Sequence, residues 1–180
     1  MKKALIALPL AALLLAGCSS TTAPPKVDPA GDAKATTQTT AAVADRSAKF
    51  GETVKYDSGV TVTLTSIGFQ KVGQYAAGAV EGQAAVFELS VTNGSQKELS
   101  AALMSLAKVT YGDKNEKAAS VIDSANNLGM ETFSTILPGE TQSVKLAAAI
   151  PAASAGTVRV EVTGPSAFTD KAAVFKGAVS

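Results

Sequence analysis

Histidine and tryptophan are absent from this sequence of 180 residues, and Cys18 is its single cysteine. Without imidazole, and with no second thiol, the chain cannot assemble a Ser-His-Asp or Cys-His nucleophile or a zinc site built on imidazole or thiolate. Cys18 also lacks a partner for an intramolecular disulfide. The glycines at 73, 78 and 82 follow no phosphate-loop spacing, so the sequence predicts no cofactor and no metal.

Aromatic residues and net charge are scarce as well. Aromatics make up 5% of the chain and the net charge is +1, whereas 46% of the residues are hydrophobic. This composition can bury a core, although one with few large rings. From Arg46 to the end, twelve Lys and Arg balance twelve Asp and Glu, and no basic stripe is visible. The sequence therefore argues against nucleic acid as a partner.

The apolar run near the N-terminus is too short to cross a membrane. Lys2 and Lys3 precede thirteen largely apolar residues, 4–16, which Pro9 interrupts. A spanning helix needs about 20 such residues. The pattern is instead typical of a secretory signal peptide.

Leu15-Ala16-Gly17-Cys18-Ser19 follows at once and resembles the lipobox of bacterial lipoproteins. The resemblance implies a diacylglyceryl group on the Cys18 thiol and cleavage between Gly17 and Cys18. The alternative is an ordinary signal peptide followed by a chance cysteine. We expect residues 1–17 to be a lipoprotein signal peptide, and the mature chain to be lipid-anchored to the cell membrane on its extracytoplasmic side.

Residues 18–47 differ in composition from the rest of the chain. Ala, Thr, Pro, Ser, Lys and Asp dominate the segment, and Val27 and Val43 are its larger aliphatics. Such a segment cannot bury enough apolar surface to offset its conformational entropy, so we interpret it as a disordered tether. A flexible chain of this length has a root-mean-square span of about 30 Å. The tether is expected to carry one domain, residues 48–180.

Four segments of that domain alternate apolar and polar residues with a period of two, as half-buried strands do. Their expected inward residues are Val60, Val62, Leu64, Phe87, Leu89, Val91, Val144, Leu146, Ala148, Ile150, Val158, Val160 and Val162. Turn sequences separate the strands, and no proline of the domain falls inside one. We predict an all-β sandwich of about seven to nine strands, with one face of each sheet buried. Residues 100–107 have helical propensity but are expected to form a strand.

The order of these features resembles a family of bacterial immunoglobulin-like lipoprotein domains of unknown function, which share a fold with the immunoprotective extracellular antigen of mycobacteria. The resemblance covers roughly residues 49–177 and implies an immunoglobulin-like fold and a cell-surface setting, without catalytic residues. The matching motifs are Phe50-Gly51-Glu52-Thr53-Val54, the Gly59 turn, Val91-Thr92-Asn93-Gly94-Ser95, Tyr111-Gly112-Asp113, Leu137-Pro138-Gly139-Glu140, Ile150-Pro151 and Phe168-Thr169-Asp170-Lys171-Ala172.

Carboxylates are the catalytic groups that the composition leaves available, and a pair of them is the arrangement that glycosidases use. Strand positions such as Glu88 and Glu161 are normally solvated charges. A loose calcium site at a polar hairpin tip, built from Asp113, Asn115, Glu116 and Asp123, lacks regular ligand spacing. The remaining carboxylate candidates are Glu81 and Glu98.

Residues 70–82 form the segment with the best prospect of recognition. It places Tyr75 among glycines and alanines between two strands and is longer than a hairpin needs.

Two function classes remain open. The first is a non-enzymatic binding or structural module, with another envelope protein as its partner. The second is a carboxylate-based hydrolase or small-ligand binder acting on envelope material.

Overall fold

The computed structural model describes residues 46–180. Four predictions concern residues outside the described range: the signal peptide, the cleavage between Gly17 and Cys18, the lipid on Cys18 and nearly all of the tether. No helix within residues 46–180 is both long enough and apolar enough to span a membrane.

Strands dominate this part of the chain, and nine of them form two sheets, in agreement with the predicted sandwich. The strands are β1 (Ser47–Lys49), β2 (Thr53–Lys55), β3 (Val60–Lys71), β4 (Gln83–Asn93), β5 (Leu99–Ser100), β6 (Lys108–Tyr111), β7 (Glu116–Lys117), β8 (Thr135–Ile136), β9 (Thr141–Ala148), β10 (Val158–Val162) and β11 (Ala173–Gly177). Sheet A has the order β1-β11-β10-β6-β7 and sheet B the order β2-β3-β4-β9, while β5 and β8 make a separate two-stranded ribbon.

The main core lies between the two sheets, where the predicted alternation places its apolar residues. Val62 and Leu64 of β3 and Leu89 of β4 meet Val160 of β10 and Phe175 of β11 in one buried cluster. Of the thirteen residues expected to face inward, twelve are buried and Leu146 is half-buried. Burying β-branched and aromatic side chains stabilises each sheet against the other at roughly 25 cal/mol per Å² of apolar surface.

The predicted turns lie where the sequence placed them. Gly139 has φ +82°, and the N–H of Glu140 donates to the carbonyl of Leu137 over 3.0 Å, as a type II turn requires. Gly59, with φ +91°, closes the turn between β2 and β3. Both glycines adopt a left-handed conformation that side chains disfavour.

The chain changes sheets between its first two strands. β1 pairs in parallel with β11, with Ser47 opposite Val174, whereas β2 pairs antiparallel with β3. Between them, the Gly51 N–H donates to the Leu64 carbonyl over 2.7 Å. The first segment of the domain therefore closes the sandwich along one side.

The β3–β4 hairpin is longer than expected. Pairing runs from Val60 opposite Asn93 to Lys71 opposite Gln83, so residues 70 and 71 belong to β3 and the loop spans 72–82. A bulge between Ser66 and Gly68 shifts the alternation by one residue, so that Phe69 packs against the core. This shift of the period hid the end of the strand from the sequence pattern.

The strand expected at residues 100–107 is wrong. β5 ends at Ser100, and Ala102–Ser105 form a 3₁₀ turn. Ala101 and Met104, three residues apart, are both buried, while Leu103 and Leu106 are exposed. The three-residue spacing suits a 3₁₀ turn, in which side chains at i and i+3 align.

Candidate functional site

Two loops pack on the outer face of sheet B and together form what we call the loop platform, residues 72–82 and 118–130. Beneath them lies a second apolar cluster, which includes Ala84 and Val86 of β4 together with Val121 and Leu128 of the platform. The sequence pattern predicted that each sheet would bury one face. At this end sheet B buries both, because the platform covers its outer surface.

Backbone hydrogen bonds join the two loops. The N–H of Ala77 donates to the Ile122 carbonyl over 2.9 Å, and the N–H of Ile122 returns a bond to the Ala77 carbonyl over 3.0 Å. The second loop is itself bonded to sheet B, since the N–H of Val121 donates to the Ala147 carbonyl over 2.9 Å. The loop expected to recognise a partner is thus bonded to the second loop, and the second loop is bonded to sheet B.

Asp123 is the buried carboxylate of the platform, with 3% of its surface exposed. Its Oδ2 accepts hydrogen bonds from the Gly73 N–H over 2.7 Å and from Asn126 Nδ2 over 2.6 Å, and its Oδ1 accepts one from the Ala125 N–H over 3.1 Å. These bonds, with that from Gly73 the strongest influence, lower the pKa of Asp123 below its ordinary value. The charged side chain therefore fastens one loop to the other.

Apolar side chains project from this fastened structure into solvent. Tyr75 is 91% exposed and lies between Gly73, bonded to Asp123, and Ala77, bonded to Ile122. Ile122 is itself 50% exposed. A protruding aromatic ring on a constrained loop is the feature of the platform that can serve recognition.

The candidate carboxylates do not gather at the platform. Glu88 lies on the outer face of sheet B, and Glu161 forms an ion pair of 3.2 Å with Arg159 on sheet A. Glu81 accepts a bond from the Ala152 N–H, and Glu98 is exposed. Among residues 46–180, no three acidic side chains come together as metal ligands, so Asp123 does not join the hairpin residues Asp113, Asn115 and Glu116.

Asp113 and Glu116 do share a hollow of about 340 Å³ at the β6–β7 hairpin. Both are exposed, and neither carboxylate has a hydrogen-bond partner among the described residues. A general acid needs a carboxyl whose pKa burial or a neighbouring charge has raised. The open setting of this pair provides no burial of that kind.

A groove of about 330 Å³ opens between the sheets on the side where β6 begins and where β7 and β9 end. Leu106, Val109 and Leu146 contribute to its apolar lining. Its one acidic residue, Glu131, accepts bonds through both oxygens, from the Asn127 amide and from the Lys145 N–H. The groove therefore contains no free acid for catalysis.

The outer face of sheet A corrects the expectation that no basic stripe exists. Register aligns Lys49, Lys176, Arg159 and Lys117 in one row across β1, β11, β10 and β7, with Thr110 of β6 between the last two. Lys108 lies in the adjacent row, opposite Glu161. Each strand contributes a single cation, so the row cannot be seen along the sequence. We call Lys49, Lys108, Lys117, Arg159 and Lys176 the basic face.

Comparison with known proteins supports the fold and leaves the family open. No family model matches the chain, and no curated protein matches it in sequence. The immunoglobulin-like lipoprotein family indicated by the motifs therefore stays a prediction.

Solved structures do resemble it. The “putative lipoprotein” ycdA of Bacillus subtilis superposes with a TM-score of 0.57 at 15% identity over 73% of this chain, which spans only 39% of that protein. The yjhA protein of Bacillus subtilis gives 0.52 at 15% identity, covering 64% of this chain and 81% of that one. An uncharacterized beta-sandwich protein of Clostridium difficile gives 0.44 at 19% identity, covering 73% and 93%. At these identities, the first two likenesses concern the fold alone.

Proposed function

We propose that this chain is an exported lipoprotein, anchored through Cys18, whose immunoglobulin-like sandwich binds another envelope protein through the loop platform and catalyses no reaction. The lipobox Leu15-Ala16-Gly17-Cys18 supports the anchor, and the polar segment that follows supports a tether. The chain shares its fold with ycdA, named a “putative lipoprotein”, which is compatible with this setting.

The main support for the binding proposal is the exposed Tyr75 ring, which lies on a loop held by hydrogen bonds. A mobile loop loses conformational entropy when it binds, whereas a loop held by Asp123 and by the Ala77–Ile122 bonds has lost most of it already. Tyrosine supplies a large contact area with few rotatable bonds, and it is enriched among residues that dominate interface energies. Tyr75 and Ile122 together offer an apolar contact centre.

The positions of the carboxylates support the absence of a reaction. Glu88 and Glu161 point outward from strands, Asp123 is committed to the loops, and Asp113 and Glu116 stand in open solvent. A hydrolytic pair needs one carboxyl kept protonated near neutral pH by its surroundings. None of these positions offers such surroundings.

Cys18→Ser tests the anchor. In the producing cell, the wild-type chain should incorporate a radiolabelled fatty acid and partition into the detergent phase, because two acyl chains suffice for stable attachment. The variant should take no label and should appear in the aqueous phase. Equal partitioning of both proteins, with label in neither, would contradict the proposal.

A photo-reactive phenylalanine analogue tests the binding surface. Placed at Tyr75, it should form a discrete adduct with one envelope protein in intact cells. Placed at Phe168, which is fully exposed on a different loop, it should not form that adduct. Equal adducts from both positions, or none from position 75, would contradict recognition by the platform.

An assay of the domain on glycans, peptides and esters tests the absence of catalysis, and we expect no hydrolysis. The non-enzymatic assignment would be contradicted by hydrolysis that Asp113→Asn or Glu116→Gln abolishes while the melting temperature stays unchanged.

A further inference from the structure

The basic face concentrates positive charge in a domain that is neutral as a whole. Lys49, Lys176 and Arg159 occupy one row on three adjacent strands, which lie about 4.8 Å apart. Their inward neighbours Ala48, Phe175 and Val160 pack in the core, so the row faces away from it. Glu161 is the acidic residue aligned with these two rows, and the carboxylate of Glu52 lies beside them, where it accepts a 2.7 Å bond from the Lys49 N–H.

Pairing within the protein neutralises Arg159 but leaves the four lysines of the basic face without an ion pair among the described residues. Glu161 forms its 3.2 Å ion pair with Arg159, and no other ion pair occurs among residues 46–180. Lys176 stands directly opposite both Lys49 and Arg159, and like charges opposite one another destabilise a sheet. The face thus retains a repulsion that an external anion would relieve.

The outer face of sheet B is different in charge. Its hydroxyl residues pair with one another, as in the 2.7 Å bonds of Thr53 with Thr63 and of Thr92 with Thr141. Glu88 and Lys145 stand opposite each other with complementary charge. Lys55 also lies on this face, so two lysines accompany one glutamate here, whereas five cations accompany Glu161 on the basic face. The surplus of positive charge is therefore larger on sheet A.

The position of β1 indicates what the basic face meets. Lys49 lies on β1, three residues after Arg46, where the described chain begins and where the segment from Cys18 joins the domain. If that segment is the tether, a domain held within its span of about 30 Å experiences the membrane at a high effective concentration. The five-stranded sheet spreads these cations over a broad open face, which suits a membrane surface better than a narrow groove would.

We propose that the basic face docks on the anionic lipid headgroups of the membrane that holds the anchor. The membrane's identity rests on the proposed function, whereas attraction to anionic lipid does not. In this orientation sheet A lies toward the lipid, and the loop platform, on the outer side of sheet B, faces away from it. The anchor and the face would then fix which surface of the domain is offered to a partner.

Vesicle co-sedimentation tests the proposal with the full chain carrying Cys18→Ser, so that no acyl chain contributes. Vesicles of phosphatidylcholine alone are compared with equal parts of phosphatidylcholine and phosphatidylglycerol. Any insertion of the apolar N-terminus would occur in both, so the difference between them reports charge. We expect preference for the anionic vesicles, weakened by added salt.

Matched double variants locate the effect. Lys49→Gln with Lys176→Gln should reduce anionic-vesicle affinity by about five-fold for each lysine, on the order of 25-fold together. The melting temperature should not fall, because a repulsion has been removed. Lys55→Gln with Lys145→Gln neutralises two lysines on the outer face of sheet B and should leave affinity nearly unchanged.

Three results would overturn the proposal. They are equal binding to both vesicle types, equal losses in the two double variants, and tight binding of a soluble polyanion such as an oligonucleotide without vesicle binding. If Cys18 takes no lipid in cells but the vesicle results hold, only the anchor has failed. If the lipid is present and the vesicle results fail, only the docking has failed.

Discussion

The carboxylate of Asp123 accepts a 2.7 Å hydrogen bond from the backbone N–H of Gly73, fifty residues earlier in the chain. Neither residue belongs to one of the eleven strands, so this bond and the two backbone bonds between Ala77 and Ile122 hold one loop on the other. Gly73 also lies too close to Asp123 for a larger residue to fit easily, since a Cβ there would come within 3.3 Å of Oδ1.

Asp123→Ala should loosen the loop platform. The Gly73 N–H loses its acceptor, and its hydrogen exchange should accelerate on the order of ten-fold or more, because bonds to charged groups are among the stronger ones. Amides of β10 should exchange as before. Asp113→Ala, at an exposed hairpin tip, is the control and should change neither rate. Unchanged protection at Gly73 would show that the carboxylate does not hold the loop.

Acid should loosen the same loop. The folded pKa of Asp123 lies below its ordinary value of 3.8, chiefly because Gly73 bonds to the charged form. Its contribution to stability is therefore fully present above that ordinary pKa and is lost as the pH falls through the folded one. Exchange at Gly73 should rise, relative to its intrinsic rate, as the pH is lowered below about 4. Asp123→Asn should flatten this dependence, and an equally steep dependence in the variant would contradict it.

Asn93→Ala should destabilise the domain by at least about 2 kcal/mol, because a buried polar network loses its centre. The Asn93 amide donates to the carbonyls of Lys97 and Ile136 over 2.7 and 2.8 Å and accepts from both the N–H and the hydroxyl of Ser95. Asn93→Asp has the same shape but replaces the donor with an acceptor, so it should be worse than Asn93→Ala. Gln96→Ala, exposed in the same turn, should cost less than about 0.5 kcal/mol. Urea unfolding measures all three.

Tyr56 should make the domain sensitive to alkali. Burial raises the pKa of Tyr56 to about 12, against a lowering influence of the Arg46 guanidinium, which lies 4.2 Å from the ring centroid. Because the folded pKa is raised, the contribution of Tyr56 to the stability of the domain is complete below the ordinary pKa near 10. It is lost as the pH rises through the folded pKa. Tyrosinate absorbance, as a difference between wild type and Tyr56→Phe, should titrate near pH 12. Titration near 10 in the folded protein would contradict the burial argument.

Phe87 and Phe168 allow a matched comparison of one residue type in two settings. Phe87 is fully buried and packs at 5.5 Å between ring centroids against Phe50, whereas Phe168 is fully exposed. Phe87→Ala should lower the free energy of unfolding by about 3–5 kcal/mol. Phe168→Ala should change it by less than about 0.5 kcal/mol. Similar losses in urea unfolding would contradict the placement of the core.

Local pattern was sufficient to predict most of the sandwich. Val158, Val160 and Val162 lie inward because a strand's side chains alternate, and Gly139 occupies a turn because its φ must be positive. Both effects depend on neighbours along the chain. A single sequence contains such information directly.

Contacts between residues on different strands or loops could not be predicted from the local pattern. Lys49, Arg159 and Lys176 form a row only once register is known, and each looks like an isolated surface charge in the sequence. Asp123 resembled a loop acid, and its burial depends on Gly73, a distant residue. The 3₁₀ turn at residues 102–105 likewise follows from where Ala101 and Met104 meet the core.

The parallel pairing of β1 with β11 also has a consequence for biogenesis. If the chain is exported N-terminus first, as proposed above, Ser47 crosses the membrane long before Val174, its partner in the sheet. Until the final strand arrives, β1 has no neighbour in sheet A and one side of the sandwich is open. Folding dominated by such distant pairings is slow, in the range of milliseconds to seconds. In such an export, the topology would delay the pairing of β1 until the last strand of the domain has emerged.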